Sequence, residues 1–180
     1  MNKIKLLILD VDGVLTDGKK YYDNTGRVLL KTFCDKDWTT IKRFKSIGLN
    51  VVFITGDPFN KFIEKKRNLK VYLNRKDGSH IDKKEFLDEI CKNYDVNNDE
   101  ICFVGDDIFD IGLMKELKYS FSPSDAPQIV KDNSLELDSK GGENILIELY
   151  EKLESMLLID KKDYEEIIES LYREDLKDTF

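Results

Sequence analysis

The run Ile4-Lys5-Leu6-Leu7-Ile8-Leu9 ends abruptly in Asp10-Val11-Asp12-Gly13, and that junction constrains the fold more than any other stretch. An apolar run without polar alternation reads as a strand covered on both faces, which is the habit of parallel sheets. Parallel strands need crossovers, so helices are expected between them. Further short apolar runs at residues 50–54, 71–73 and 101–104 repeat the pattern, with weaker ones near 119–121 and 134–137. Between them lie helical spacings: Trp38, Ile41, Phe44 and Ile47 before Gly48, a helix opened by Pro58, and one over 83–92 capped by Asp82 with Glu85 three residues on. A further helix is expected over 108–117. Strand and helix in alternation predict a doubly wound α/β fold.

One segment breaks the alternation. Lys20-Tyr21-Tyr22 and Val28-Leu29-Leu30 flank Asp23-Asn24-Thr25-Gly26, which predicts a β-hairpin at about 19–33. At the other end, residues 144–158 and 164–176 read as acidic amphipathic helices. The chain of 180 residues suits one domain, placed at 1–158, with a helical extension at 159–180.

Charge narrows the function. A net charge of −7 argues against a nonspecific grip on nucleic acid or an anionic membrane. No apolar stretch approaches the roughly 20 residues of a membrane span. Three cysteines, Cys34, Cys91 and Cys102, form no CxxC pair. Without a recognisable leader, they point to a reducing compartment, the cytoplasm.

In open parallel sheets ligands bind at the carboxyl ends of the strands. The residues leaving those ends are Asp10 and Asp12, then Thr55 and Gly56, then Asp106 and Asp107 with Asp110 a turn later; Lys83 opens a helix nearby. Clustered carboxylates need a counter-cation, and hard oxygen ligands suit Mg²⁺, which keeps waters and bonds to phosphate. The chemistry assigns Asp10 as nucleophile and Asp12 as acid/base partner, with Thr55, Gly56 and Lys83 binding the phosphate. Asp10, Asp12 through its carbonyl, and Asp106 are the expected metal ligands, joined by Asp107 or Asp110 in an alternative set. Asp110 fits better as the residue that orients Lys83 or a metal-bound water. His80 reads as a loop residue, the charges of 61–70 as a solvated helix face, and Tyr21, Tyr22 and Trp38 as packing residues.

DVDGVLTDG at residues 10–18, Ile54-Thr55-Gly56, Lys83 and GDDIFD at 105–110 occur in the order and spacing of the four motifs of the haloacid dehalogenase superfamily. The chain resembles that superfamily over roughly residues 4 to 150. Lys83 rather than Lys84 matches the third motif, because Leu87 falls four residues after it. The resemblance implies a Rossmann-like three-layer α/β/α domain with a central, mostly parallel sheet and a β-hairpin flap. Only 42 residues separate Asp12 from Thr55 and 27 separate Thr55 from Lys83, so there is no room for a cap domain.

Lys31-Thr32-Phe33, Lys36-Asp37 and Gly141-Gly142 resemble the capless branch that dephosphorylates octulosonate 8-phosphate and sialic-acid-type 9-phosphates. That likeness implies a homotetramer and offers Lys36 as a substrate cation. The branch carries arginine where this chain has Asp57 and Ile147, which leaves the substrate open between a sugar and a sugar-acid phosphate. The competing expectation is a catalytically weak protein that docks a partner through its C-terminal helices. A phosphomutase lacks its cap here, and the charge gives no support to a nucleic-acid 3′-phosphatase.

Overall fold

The computed structural model describes residues 3–176. Its first strand, β1 (Leu6–Leu9), is fully buried. Leu7 and Leu9 face one apolar cluster and Leu6 and Ile8 the other, so this short run anchors both layers of core. Each such side chain contributes about 1.5–3 kcal/mol by leaving water.

A small antiparallel hairpin follows, β2 (Tyr21–Tyr22) with β3 (Val28–Leu30), and then α1 (Asp35–Ser46). Asp23 shapes the turn by accepting from Thr25 N and Arg27 N. In α1, Trp38, Ile41 and Phe44 are buried, with acids in the first turn and basic residues in the last, as the helix dipole favours. The chain returns as β4 (Asn50–Thr55), passes a 3₁₀ turn (Pro58–Lys61) capped by Asp57 and α2 (Phe62–Arg67), and forms β5 (Lys70–Leu73).

A second hairpin, β6 (Arg75–Lys76) and β7 (Ser79–His80), was not foreseen from the sequence. Then come a 3₁₀ turn (Lys83–Phe86) and α3 (Leu87–Tyr94), β8 (Ile101–Val104), and a 3₁₀ turn (Ile108–Asp110) leading into α4 (Ile111–Glu116). After β9 (Tyr119–Ser122), the short α5 (Gln128–Lys131) and β10 (Leu135–Glu136), the chain ends in α6 (Ile145–Ser155) and α7 (Tyr164–Asp175).

The six-stranded sheet has the order β10-β9-β8-β1-β4-β5, with every pair parallel. From β1 the chain winds outward through β4 and β5, then crosses back to β8 on the other side. The direction of winding therefore reverses between β1 and β8, which opens a crevice above their carboxyl ends. Among the described residues the segments after β1 and β4 hold no cap domain.

Two expectations need correction. Tyr21 and Tyr22 are exposed, at 54% and 59%, because no other element of the described residues covers that face of the two-stranded hairpin. Only Trp38 of that set is a packing residue. The basic stretch at 61–70 is also not one helix face: Asn68 enters the left-handed region and ends α2, and Lys70 already belongs to β5. The last four residues of the expected extension lie outside the described residues. α7 lies along α1, with Lys42 2.5 Å from Asp175 and Lys45 2.7 Å from Glu174.

Candidate active site

The end of β1 delivers Asp10 into a cleft of about 370 Å³ between β1, β4 and β8. Its Oδ1 accepts from Val11 N at 2.7 Å, and its Oδ2 lies 3.0 Å from Lys83 Nζ. Gly13 follows with φ +86°, where a side chain would be strained, and a Cβ there would fall 1.9 Å from Asp106 Oδ2. Only glycine permits both the turn and that approach.

Lys83 is buried and bridges two acids, with Asp110 Oδ1 at 2.5 Å as well as Asp10. Burial works against its ammonium, but Asp10 and Asp110 outweigh that and hold its pKa above the usual lysine value. Lys84 is exposed beside Asp82, so of the two lysines it is Lys83 that the structure brings into the cleft. Asp110 has no oxygen left over, because its Oδ2 accepts from Asp106 N and Asp107 N. It brackets Lys83 and the loop after β8.

One ammonium cannot balance three acids. Burial first, then the facing carboxylates, push Asp106 above the ordinary carboxylate range, and Asp10 rises for the same leading reason. Asp106 Oδ1 is a buried oxygen with no hydrogen-bond partner. Oxygens of Asp10, Asp106 and Asp110 lie within 4.8 Å of one another. An orphaned buried oxygen beside a carboxylate cluster fits a divalent cation. Asp107 is exposed and uses Oδ1 on Ile108 N at 2.6 Å, so it is the weaker candidate ligand.

Asp12 is held by residues that the sequence did not nominate. Lys31 Nζ lies 2.5 Å from its Oδ1, and Asn60 Nδ2 donates to its Oδ2 at 3.0 Å. Asn60 also donates to Thr55 Oγ1 at 2.8 Å, and Asp57 N donates to the same oxygen at 3.2 Å. With both acceptor positions taken, the Thr55 hydroxyl proton is left to point at a ligand in the cleft.

Asp57 receives Lys20 at 2.7 Å and Lys31 at 2.8 Å. Burial alone would raise this acid, but the two lysines hold it well below the carboxylate range. Lys31 stood in a quoted motif segment without a role. Asn60 gave no signal beyond its place in the turn after Pro58.

At the mouth, His80 lines the cleft with Arg75 and Phe109, which corrects its reading as a bystander in a loop. Its ring stacks on Phe109 with centroids 4.4 Å apart, and a Cβ on Gly56 would meet it at 2.5 Å. Lys36 goes the other way: it is exposed in the first turn of α1 and does not line the cleft. A wider depression of about 640 Å³ at the opposite strand ends, among Lys45, Asn50, Lys70 and Glu174, contains none of the expected site residues. Its charges are already answered by Lys45–Glu174 and Lys70–Glu64 ion pairs.

A sequence profile described as haloacid dehalogenase-like hydrolase matches residues 78–137. Over 153 residues the chain is 29% identical to 3-deoxy-D-manno-octulosonate 8-phosphate phosphatase KdsC of Haemophilus influenzae, spanning 83% of this chain and 82% of that one. In sequence and in fold the chain is similar to the haloacid dehalogenase-like hydrolases. This hydrolase superposes on the cobalt-bound form of the Haemophilus influenzae phosphatase with a TM-score of 0.75 and 25% identity, covering 98% of this chain and 94% of that one. A Legionella pneumophila structure assigned to subfamily III A of the superfamily gives a TM-score of 0.76 at 27% identity, covering 98% and 91%. These relatives, of which the chain spans 82% and 94%, are phosphatases, and it is an enzyme of that kind.

Proposed function

We propose that this phosphatase hydrolyses a small sugar or sugar-acid phosphate monoester, with Mg²⁺ and an aspartyl-phosphate on Asp10. The observation that carries the reading is the orphaned Asp106 oxygen beside Asp10 and Lys83 in the crevice. Asp10, Asp106 and the Asp12 carbonyl would hold the metal, which when bound supplies charge neutralisation for the phosphoryl oxygens.

The remaining work falls to the chain. Lys83 and the Thr55 hydroxyl bind and orient phosphate oxygens, beside the backbone at Gly56. An Asp10 oxygen attacks phosphorus in line with the leaving oxygen, and the bond from phosphorus to that oxygen breaks. Asp12 gives its proton to the departing alkoxide. It then takes a proton from a water that attacks phosphorus, which cleaves the Asp10 acyl phosphate and releases inorganic phosphate. Lys31 and Asn60 keep Asp12 placed for both transfers.

The same reading includes a homo-oligomer, a tetramer, joined through the hairpin's exposed Tyr21, Tyr22, Leu29 and Leu30. Partner docking by the last helices is less well supported. α6 is spent on the protein's own core through Ile145, Leu149 and Leu153, and α7 lies against α1.

The test is Mg²⁺-dependent release of phosphate from a panel of sugar, sugar-acid and nucleotide phosphates. Asp10→Asn is expected to abolish turnover and the hydroxylamine-labile phosphoryl group on the quenched protein. Retained turnover in that variant would remove Asp10 as nucleophile.

A further inference from the structure

The cations that line the cleft are answered by carboxylates, with one exception. Lys83 sits between Asp10 and Asp110, and Lys20 sits on Asp57. Arg75 has no carboxylate partner among the described residues. Its contact is with a ring nitrogen, His80 Nε2, at 3.1 Å from Nη2. A guanidinium only donates, so Nε2 must accept, and His80 is a neutral ring carrying its proton on Nδ1.

This pair is built into the backbone. Asp77 and Gly78 both have positive φ, 51° and 83°, the signature of a tight two-residue hairpin turn. That turn fixes the register, which sets Arg75 directly opposite His80. His80 is in turn held by its stack on Phe109 and by close contact with Gly56. Arg75 thus stands at the cleft mouth with one donor engaged and the rest of its fork free.

We propose that Arg75 is a specificity-determining residue that reads a carboxylate on the substrate at the end away from the phosphate, with His80 as its positioning residue. The proposal rests on the phosphatase reading. A planar guanidinium pairs with a carboxylate through two parallel hydrogen bonds. A monoanion fits better than a second phosphate, because one free unit of positive charge is available and Asp107 also lines this cleft.

The experiment measures competition against aryl-phosphate hydrolysis by two matched ligands, 6-phosphogluconate and sorbitol 6-phosphate, which differ only in a carboxylate for a hydroxymethyl group. Each registers as a competitor whether or not it is turned over. The wild-type enzyme is expected to favour the carboxylate roughly 10- to 100-fold, the range for a charge-assisted pair. Arg75→Gln should bring the ratio near unity, and Arg75→Lys should restore part of it.

Any general effect of a variant on turnover cancels in this ratio. His80→Phe, which keeps a ring on Phe109 but removes the acceptor, should lower the ratio while leaving some preference. Equal affinities in the wild type, or a preference that survives Arg75→Gln, would overturn the proposal. A wild-type enzyme with Mg²⁺ that hydrolyses no aryl phosphate and no member of the substrate panel would instead overturn the phosphatase reading, and the proposal with it.

Discussion

Lys31 Nζ stands 2.5 Å from Asp12 Oδ1, and the same ammonium reaches Asp57 Oδ2 at 2.8 Å and Asn60 Oδ1 at 3.0 Å. A buried cation thus joins the residue after the first hairpin to the acid/base candidate and to the turn after β4. Replacing Lys31 with Met leaves two acids without their shared partner. The expected loss is on the order of 3 kcal/mol in denaturant unfolding, with kcat reduced as Asp12 loses its placement. Adding Asp57→Asn to that variant should recover part of the stability but not kcat, which separates the two roles of Lys31.

Asp106 predicts opposite effects with and without metal. In EDTA, Asp106→Asn removes a buried carboxyl that its surroundings penalise, and should raise the melting temperature. In Mg²⁺, the wild type should gain melting temperature and the variant should gain little or none. The wild-type gain should also grow from pH 6 to pH 8, because Asp10 and Asp106 are held above their usual range and the ion must displace their protons. A gain independent of pH would contradict this arrangement.

Asp37 gives a pH dependence away from the cleft. Its Oδ1 accepts from Leu146 N at 3.0 Å and so ties α1 to the start of α6, while its Oδ2 is buried without a partner. Burial raises its pKa to about 6, with the Leu146 hydrogen bond opposing. The folded value exceeds the unfolded one of about 3.9, so the native state binds the extra proton and stability falls as pH rises from about 4 to 6. Asp37→Asn keeps the acceptor and loses the charge. It should match the wild type near pH 4 and exceed it by roughly 1–3 kcal/mol at pH 7.5 in urea melts.

The first hairpin predicts assembly. Leu29 is 61% exposed and Tyr22 59%, on a ribbon with free edges. Exposed apolar surface of this kind marks an interaction site. Leu29→Glu with Tyr22→Glu should convert the oligomer to monomers in light scattering without shifting the circular dichroism spectrum. A wild-type protein that is monomeric at all concentrations would remove this part of the reading.

The strands and their exits were legible because they depend on local pattern. A short apolar run marks a buried strand, and the acid or hydroxyl that ends it marks the sheet edge where Asp10, Thr55 and Asp106 meet. Lys83 was legible through its spacing to Leu87. The second hairpin was not, although Asp77-Gly78 is a turn signal, because two-residue strands carry too little apolar pattern to be seen.

The sequence alone therefore determined the parallel sheet, the order of its elements and the acids that converge on it, since burial on both faces leaves one arrangement for such runs. Tertiary structure decided which cations serve those acids. Lys31 entered the site and Lys36 did not, though they are five residues apart, because one follows a hairpin that folds back over the cleft and the other lies on the outer face of α1. His80, with Arg75 on its ring nitrogen, met Phe109 only once the second hairpin closed against the loop after β8. A charged side chain's partner is set by the packing of whole elements, and no local pattern records it.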